Sequence, residues 1–318
     1  MIPLKISDHV FASPLALAPM AGFTDIIWRK LLDELGGIAF MVTELISAEA
    51  ICRKSTRTRE MIEEFKGKTP QFIQLFGSDA EALCQAARIV ESETGYAGID
   101  LNIGCPARKV IKKGAGSALL RDLPRLARMV RQVRREVKGI LTAKIRLGLT
   151  EATARETAGM LQDEGIDALA VHFRLQQQGY NTPADWSHAE EIRAQLRIPL
   201  IGNGDIFDED TARMRLESVD GLLIGRASMG DPLLFARMSS MTPLPDLKRV
   251  MQRFFELTAF YLPPERRVNR LKAQSRFLKG RRRSCRYLRN RINESKEFNE
   301  ACENILALIE EQEVSPDV

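Results

Sequence analysis

Histidine, paired cysteine and long apolar runs are what this 318-residue chain has little of, and each shortage closes off a class of protein. Three histidines (His9, His172 and His188) and five scattered cysteines with no C-x-x-C pair leave no zinc cluster to read. Five cysteines over this length also exclude a disulfide-stapled scaffold. No apolar run approaches the ~18 residues of a membrane helix. The opening MIPLKISDHV lacks the basic-then-apolar order of a secretion signal, so the expected compartment is the cytoplasm. No G-x-G-x-x-G follows the first expected strand, which weakens a doubly wound dinucleotide-binding sheet. No segment is low in complexity, and nothing repeats beyond a strand–helix unit.

What is present is a chain that is 44% hydrophobic, too apolar for disorder and long enough for a large core. Its net charge of +5 is unevenly spread. From Glu265 to Arg291 there are twelve Lys/Arg against one acid, or +11 in 27 residues, so the other 291 sum to 5 − 11 = −6. One segment carries the basic excess, which bears on partners.

Eight short β-type runs recur at 15–20, 39–43, 72–75, 99–102, 141–146, 168–172, 200–202 and 221–224. Helical patterns lie between them at 25–35, 79–93, 124–137, 151–164, 185–196 and 208–217. In the second of these, Ala82, Leu83, Ala86, Ala87 and Val90 have helical spacing. Strict β–α alternation predicts a parallel sheet, and eight units within ~225 residues predict a closed (β/α)8 TIM barrel. After Pro232 the strand signals stop. The two prolines of MTPLPDL (241–247) read as a linker, and the rest is helical in pattern. The expected organisation is a barrel over 1–240 followed by a small all-helical, basic domain over 241–318.

Barrel chemistry sits where strands end and βα loops begin. Those positions hold Pro19-Met20-Ala21-Gly22, Thr43-Glu44, Gln74, Asn102 with Gly104-Cys105-Pro106, Lys144 with Arg146, His172 with Arg174, Asn203-Gly204-Asp205, and Gly225-Arg226. Singly, each can be a satisfied structural group; eight polar clusters on one rim are not required by stability. The glycine-rich turns after strands seven and eight suit a phosphate, with backbone N–H groups and Arg226 as donors, whereas tight turns alone would explain either one. Lys144 and Arg146 share a strand face, so two cations point into one mouth. Their partner is a reduced flavin, an electron-rich carbonyl or a phosphate, or else an ion pair with Glu44 or Asp205. Cys105 lies between a glycine turn and a proline, and a thiol facing the mouth can donate a proton; an inert buried role fits Cys84 better. His172 reads as a core group or as a contact to a ribityl chain or anion.

With those residues in view, APMAGFTD (18–25), TELISA (43–48), QLFGSD (74–79), DLNIGCPARKVIKKGAGSALL (100–120), KIRLG (144–148), GNGDI (202–206) and GR (225–226) together resemble the tRNA-dihydrouridine synthases, nearest to the bacterial B-type branch. The resemblance runs over about residues 14–232 in the family's order and more loosely beyond. It implies an oxidoreductase in tRNA processing that reduces the C5=C6 bond of a flipped-out uridine, with FMN as cofactor and NADPH as co-substrate. By that resemblance Pro19, Met20 and Ala21 line the flavin ring, Gln74 hydrogen-bonds it and Lys144 faces its N1/O2 edge. His172 reaches the ribityl–phosphate region, and Asn203, Gly204, Asp205, Gly225 and Arg226 bind the phosphate. Asn102 and Arg146 hold the uracil, Arg174 and Tyr180 contact the substrate, and Cys105 matches the proton donor.

In HFRLQQQGYNTPADW (172–186), Phe173, Leu175 and Thr182 depart from the family pattern, Phe173 replacing a glycine beside the phosphate region. The usual Arg-Lys-His run is also missing, with Arg270-Leu271-Lys272 near its place. The basic stretch predicts RNA contacts from Lys272, Arg281, Arg282 and Arg283, with Phe277 and Tyr287 interleaved for stacking. A solvated helix face is the alternative, but twelve cations to one acid are too lopsided for salt-bridge lacing. The expected partners are tRNA and NADPH, without a membrane, for a monomeric chain that binds no metal. NADPH, lacking a dinucleotide fingerprint, would visit the open mouth. Two other functions fit parts of the pattern: a flavin barrel acting on a free pyrimidine, and a non-catalytic RNA-binding barrel.

Overall fold

The computed structural model describes residues 2–54, 58, 62, 65–278 and 283–313. A two-stranded hairpin, β1 (Leu4–Ile6) and β2 (His9–Phe11), comes first. Eight strands then form a closed parallel barrel: β3 (Leu15–Leu17), β4 (Met41–Ser47), β5 (Gln71–Phe76), β6 (Gly98–Asn102), β7 (Ile140–Arg146), β8 (Ala168–His172), β9 (Leu200–Asn203) and β10 (Gly221–Ile224). The ring closes where β10 pairs with β3, Leu222 opposite Leu15 and Ile224 opposite Leu17. The hairpin was not foreseen, because two three-residue strands carry too little periodicity. The second barrel strand runs further than the expected 39–43. Its register shifts between Val42 and Leu45, and the irregularity carries it past Glu44 to Ser47.

Alternation along the strands builds two layers. Leu15, Leu17, Leu169 and Val171 point outward into the core shared with the surrounding helices. Ala16, Ala18, Phe72, Ala168, Ala170 and Leu223 point inward and pack with Leu4, Ile6 and Phe11 of the hairpin. The hairpin thus plugs the barrel floor: Phe40 stacks on Phe72 at 4.4 Å and Phe11 leans on both, at 5.5 and 6.3 Å. Going up the same inward rows the residues turn polar, from Phe72 to Gln74, from Gly98 through Asp100 to Asn102, and from Ile140 through Thr142 and Lys144 to Arg146. These strands therefore contribute an apolar foot to the floor and a polar head to the opposite end, whereas β3 stays apolar through Ala18 and Met20.

The helices follow the expected order. Ahead of β8 come α1 (Ile26–Leu35), α2 (Ala48–Cys52), α3 (Ala80–Glu93), α4 (Arg108–Ile111), α5 (Leu123–Glu136) and α6 (Ala154–Asp163). After it come α7 (Ala189–Gln195), α8 (Glu209–Leu216), α9 (Arg226–Gly230) and α10 (Leu234–Met238). Side-chain caps set several starts: Asp25 takes the Trp28 N–H, Asp79 the Glu81 N–H and Asp208 the Thr211 N–H. Beyond the proline-bearing connection lie α11 (Leu247–Tyr261), α12 (Pro264–Ser275), α13 (Arg283–Glu294) and α14 (Phe298–Glu313). Among the described residues no helix is long and apolar enough to cross a membrane.

Candidate active site

The polar heads of the strands surround a cavity of about 480 Å3, within the ~300–1,000 Å3 range of small-ligand sites. Cys105 lines it, together with Pro19, Met20, Ala21, Gln74, Asn102, Lys144, Arg146, His172, Tyr180, Asn203, Gly204, Asp205, Gly225 and Arg226. Phe23, Phe207 and Phe277 add an aromatic rim that includes one residue from beyond the barrel. A larger groove of about 1250 Å3 opens at the other end, around Lys5, Pro14 and Pro199. It holds no histidine or cysteine and is laced by ion pairs such as Arg193–Asp220 at 2.7 Å. Chemistry belongs to the smaller cavity, at the strands' C-terminal ends.

A hydrogen-bond relay runs under the thiol-bearing loop. Thr142 Oγ1 and Gln74 Nε2 donate to the two oxygens of buried Asp100 at 2.6 and 2.7 Å. Gln74 Oε1 accepts from Asn102 Nδ2 at 2.7 Å, and Asn102 Oδ1 accepts from the Cys105 N–H at 2.9 Å. The Cys105 carbonyl in turn accepts from Ser117 Oγ at 3.0 Å. Cys105 is half-buried and faces the cavity. Asp100 and Thr142 were not among the expected site residues. The period-two row 98, 100, 102 was the signal that could have found Asp100, two residues below Asn102.

Lys144 stands beside this relay. Burial and neighbouring Arg146 push its ammonium down to about 8, against the pull of Asp100. Arg146 donates to the carbonyls of Leu175 at 2.8 Å and Gln178 at 3.2 Å. Neither cation pairs with Glu44 or Asp205, so the ion-pair alternative is not realised. Glu44 accepts from the Gly22 N–H, and burial raises its carboxyl.

Asp205 instead pairs with Arg174 at 2.5 Å and with Arg226 at 2.9 Å. Burial works against its ionisation, but Arg174, the Ala184 N–H and Arg226 outweigh burial and hold its carboxyl below the usual range. Arg174 is only 1% exposed and does not line the cavity; it sits behind His172 and also donates to the Thr182 carbonyl at 2.5 Å. Its Nη1 lies 3.1 Å from His172 Nε2. A guanidinium can only donate, so Nε2 accepts and the His172 proton is on Nδ1. Burial, then Lys144, Arg146, Arg174 and Arg226, drive the His172 pKa far down, so the ring is neutral. Asn203 donates to the Leu223 carbonyl at 2.6 Å, joining β9 to β10. Tyr180, 58% exposed, stands over Arg226 with 4.2 Å between ring centroid and guanidinium.

The departures in residues 172–186 leave the cavity intact. Phe173 turns outward and packs on Trp186 at 4.4 Å, fully buried. Leu175 and Thr182 serve through their carbonyls, which receive Arg146 and Arg174.

The basic C-terminal stretch is less uniform than its composition implies. Arg270 is buried, pairs with Asp25 at 2.6 Å and reaches the Phe23 carbonyl at 3.2 Å. Arg267 donates to the carbonyls of Leu262 and Ala259 at 2.8 and 2.6 Å. These cations hold structure together. Lys272 is half-buried and outside the cavity lining, whereas Arg276 and Arg286 are exposed. Arg281 and Arg282 lie outside the described residues, as does the Arg283 side chain. Phe277 meets Phe23 edge-on at 4.9 Å. Among the described residues no cluster of three His, Cys, Asp or Glu side chains is placed to hold a metal.

Comparison with known proteins adds three findings. The family model for dihydrouridine synthase matches residues 16–317. The tRNA-dihydrouridine synthase B of Pseudomonas putida is 36% identical over 275 residues, covering 82% of this chain and 81% of that protein, and its namesake from Xanthomonas campestris is 35% identical over 277, covering 82% of each. Among solved structures, an old yellow enzyme homologue from Zymomonas mobilis aligns with a TM-score of 0.52 at 15% identity, over 79% of this chain and 95% of that one, a likeness of fold alone.

Proposed function

Since this chain belongs to the dihydrouridine synthase family, we propose that it is a tRNA-dihydrouridine synthase: it binds FMN, takes electrons from NADPH and reduces the C5=C6 bond of a uridine in tRNA to 5,6-dihydrouridine. The observation that carries this reading is that Cys105, Lys144 and the Gly204–Arg226 side of the barrel face one cavity. The proposed division of labour falls near residue 240. The barrel does the chemistry and the basic helices of 241–318 hold RNA, in a monomeric cytoplasmic protein.

The donor set fits a phosphoflavin. Gly204 has φ +125°, and a Cβ there would come within 2.8 Å of the Ala184 Cβ; at Gly225 a Cβ would come within 2.9 Å of Met20 Sδ. Bare backbone therefore lines that side, beside half-buried Arg226 and neutral His172, and suits a phosphate. Asp205 serves it by holding Arg226 in place. Lys144 would supply a cation and Gln74 an amide of fixed direction to the ring, and Pro19, Met20 and Ala21 would line it. The chemistry supplied by bound FMN is hydride donation at uracil C6, renewed by NADPH.

The chain's own residues do the rest. Asn102 and Arg146 orient the uracil carbonyls. The Cys105 thiol gives its proton to C5, so that C5 and C6 each gain one hydrogen, and the thiolate recovers a proton from solvent. The uridine must leave its stack to enter, at a cost of a few kcal/mol that phosphate contacts offset. Tyr180 and Phe277 at the rim offer stacking surfaces.

Incubation of the purified yellow holoenzyme with NADPH and an unmodified tRNA transcript, followed by mass spectrometry of the digested RNA, tests this. The expected result is a 2 Da gain at a uridine. Turnover of free uracil without RNA, or tight RNA binding with no mass gain, would replace it by one of the other two readings.

A further inference from the structure

The loop that carries Cys105 continues into a surface that the proposed chemistry does not use. From Ile103 to Arg121 the chain contains no acid, yet Arg108, Lys109, Lys112 and Lys113 fall within six residues on and just after the single-turn helix α4. All four are exposed, and none makes an ion pair or side-chain hydrogen bond with the described residues. Four exposed cations with no acid between them make a positive patch. In water their mutual repulsion is modest, about 1 kcal/mol for a pair ~4 Å apart, and the patch is complementary to a polyanion.

The excursion is firmly tied to the thiol. Its base is closed by Ser117, which donates through N and Oγ to the Cys105 carbonyl at 3.2 and 3.0 Å. Gly116, at φ +61°, packs so tightly that a Cβ would come within 2.8 Å of the Cys105 carbonyl and of buried Val110. A load on the four cations therefore bears on the residue that holds the thiol.

Topology sets this surface against the other basic region. In the closed order β10-β3-β4-β5-β6-β7-β8-β9, β6 lies four strands from β10 in either direction, directly across the mouth. The basic excursion leaves β6. The C-terminal helices dock on the opposite side, Arg270 on Asp25 after β3 and Gln274 on the Met229 carbonyl after β10 at 2.5 Å. The cavity thus opens between two basic walls.

We propose that residues 106–116 form a second phosphate-binding surface for the RNA, which is held on both sides of the cavity mouth so that the extruded base enters between the two grips. This rests on the reading of the chain as an RNA-modifying enzyme. A free pyrimidine would reach neither wall, whereas a structured RNA, with a phosphate at every nucleotide, can touch both.

The test compares wild-type holoenzyme with R108Q/K109Q/K112Q/K113Q and with the charge-conserving swap R108K/K109R/K112R/K113R. Each is titrated with an unmodified tRNA transcript over a series of salt concentrations, and circular dichroism verifies the fold. The neutral variant is expected to bind at least about tenfold more weakly, with a log–log salt slope shallower by about two or more, while the swap keeps wild-type affinity. Equal affinity and slope in the wild type and the neutral variant overturns the second grip and leaves the enzyme reading standing. Equal loss in the swapped variant also overturns it, since shape rather than charge would then be responsible. A raised KM for NADPH with unchanged RNA binding overturns it in favour of the nucleotide. Failure of the wild type itself to bind the transcript removes the underlying reading instead.

Discussion

Gln74 Nε2 donates to Asp100 Oδ2 across 2.7 Å, the lowest step of a relay whose direction is set at its upper end by the Cys105 backbone N–H. Both Asp100 oxygens accept, from Gln74 and from Thr142. Burial raises the Asp100 pKa, opposed by those two donors and by Lys144. The Cys105 backbone N–H can only donate, so the Asn102 carbonyl must face it, the Asn102 amide must face the Gln74 carbonyl, and the Gln74 amide must face Asp100. Asp100→Ala strands two buried donors at about 1–3 kcal/mol each, and urea denaturation should show a loss of about 2–6 kcal/mol. Asp100→Asn can turn its carbonyl to Gln74 and its amide to the Thr142 hydroxyl, and should lose less. Equal stability of the two variants would remove the relay's polarity as a cause.

Cys105→Ala removes the proposed proton donor without enlarging the cavity by more than one sulfur. Dihydrouridine formation at saturating tRNA should drop by about 10²–10⁴-fold, the range of general-acid contributions. Flavin reduction by NADPH, followed in a stopped-flow instrument, should proceed at the wild-type rate, because Cys105 takes no part in it. Joint loss of both half-reactions would contradict the separation of roles.

Much of the barrel could be read from short apolar runs bounded by helical patterns, because strand alternation and helix periodicity are local properties. Most strand-end positions were legible too: Pro19, Met20, Ala21, Gln74, Asn102, Cys105, Lys144, Arg146, His172, the Asn203–Asp205 turn, Gly225 and Arg226 all line the cavity, whereas Gly22, Thr43, Glu44 and Arg174 do not. Long-range pairings were not legible. That Asp205 would pair with Arg174 and Arg226 rather than Lys144 or Arg146 depends on where the β8 and β9 loops meet in space. The outward turn of Phe173 onto Trp186 depends on a side-chain direction that no residue type announces. Arg270 looked like one more cation in a basic run, although its partner Asp25 is 245 residues away.

Lys144 links the site to pH. Its ammonium loses its proton near pH 8, below the ordinary lysine value of 10.5. FMN uptake by the apoprotein, measured by calorimetry, should weaken above pH 8 by up to about tenfold per pH unit if the cation is required. Lys144→Arg stays charged and should flatten that decline. The stability linkage has the opposite sense: between 8 and 10.5 the unfolded chain holds the proton more tightly, so this group's contribution to apoprotein stability rises with pH across that window. An unchanged FMN pH profile in Lys144→Arg would assign the dependence to another group.

Asp205 balances a guanidinium that has no access to water. Arg174 is 1% exposed, and Asp205→Ala leaves its charge without a counter-ion. Such a loss costs about 3 kcal/mol or more in buried pairs. Chemical denaturation should show that deficit, and millimolar inorganic phosphate should recover part of it in the variant by supplying the missing negative charge beside Arg226. Full stability without added anion would mean that the Thr182 and Tyr180 carbonyls suffice for Arg174.

Arg270 and Asp25 decide whether the helices beyond residue 240 stay docked on the barrel. The pair is nearly buried, with Nε to Oδ2 at 2.6 Å, and the guanidinium also lies 5.1 Å from the Phe254 ring. Asp25 has a second duty, since its Oδ1 caps α1 through the Trp28 N–H at 3.0 Å. Asp25→Asn keeps an oxygen for that cap and removes the charge, so paired with Arg270→Met it separates docking from helix capping. A double-mutant cycle on these two variants should give a coupling of about 1.5–3 kcal/mol, the range for hydrogen bonds to charged groups. Both single variants should be cut faster by protease within residues 241–247 and should bind tRNA less tightly, because the basic helices would no longer be held beside the mouth. A coupling near zero would mean that apolar packing, Phe277 on Phe23 foremost, holds the helices in place without the ion pair.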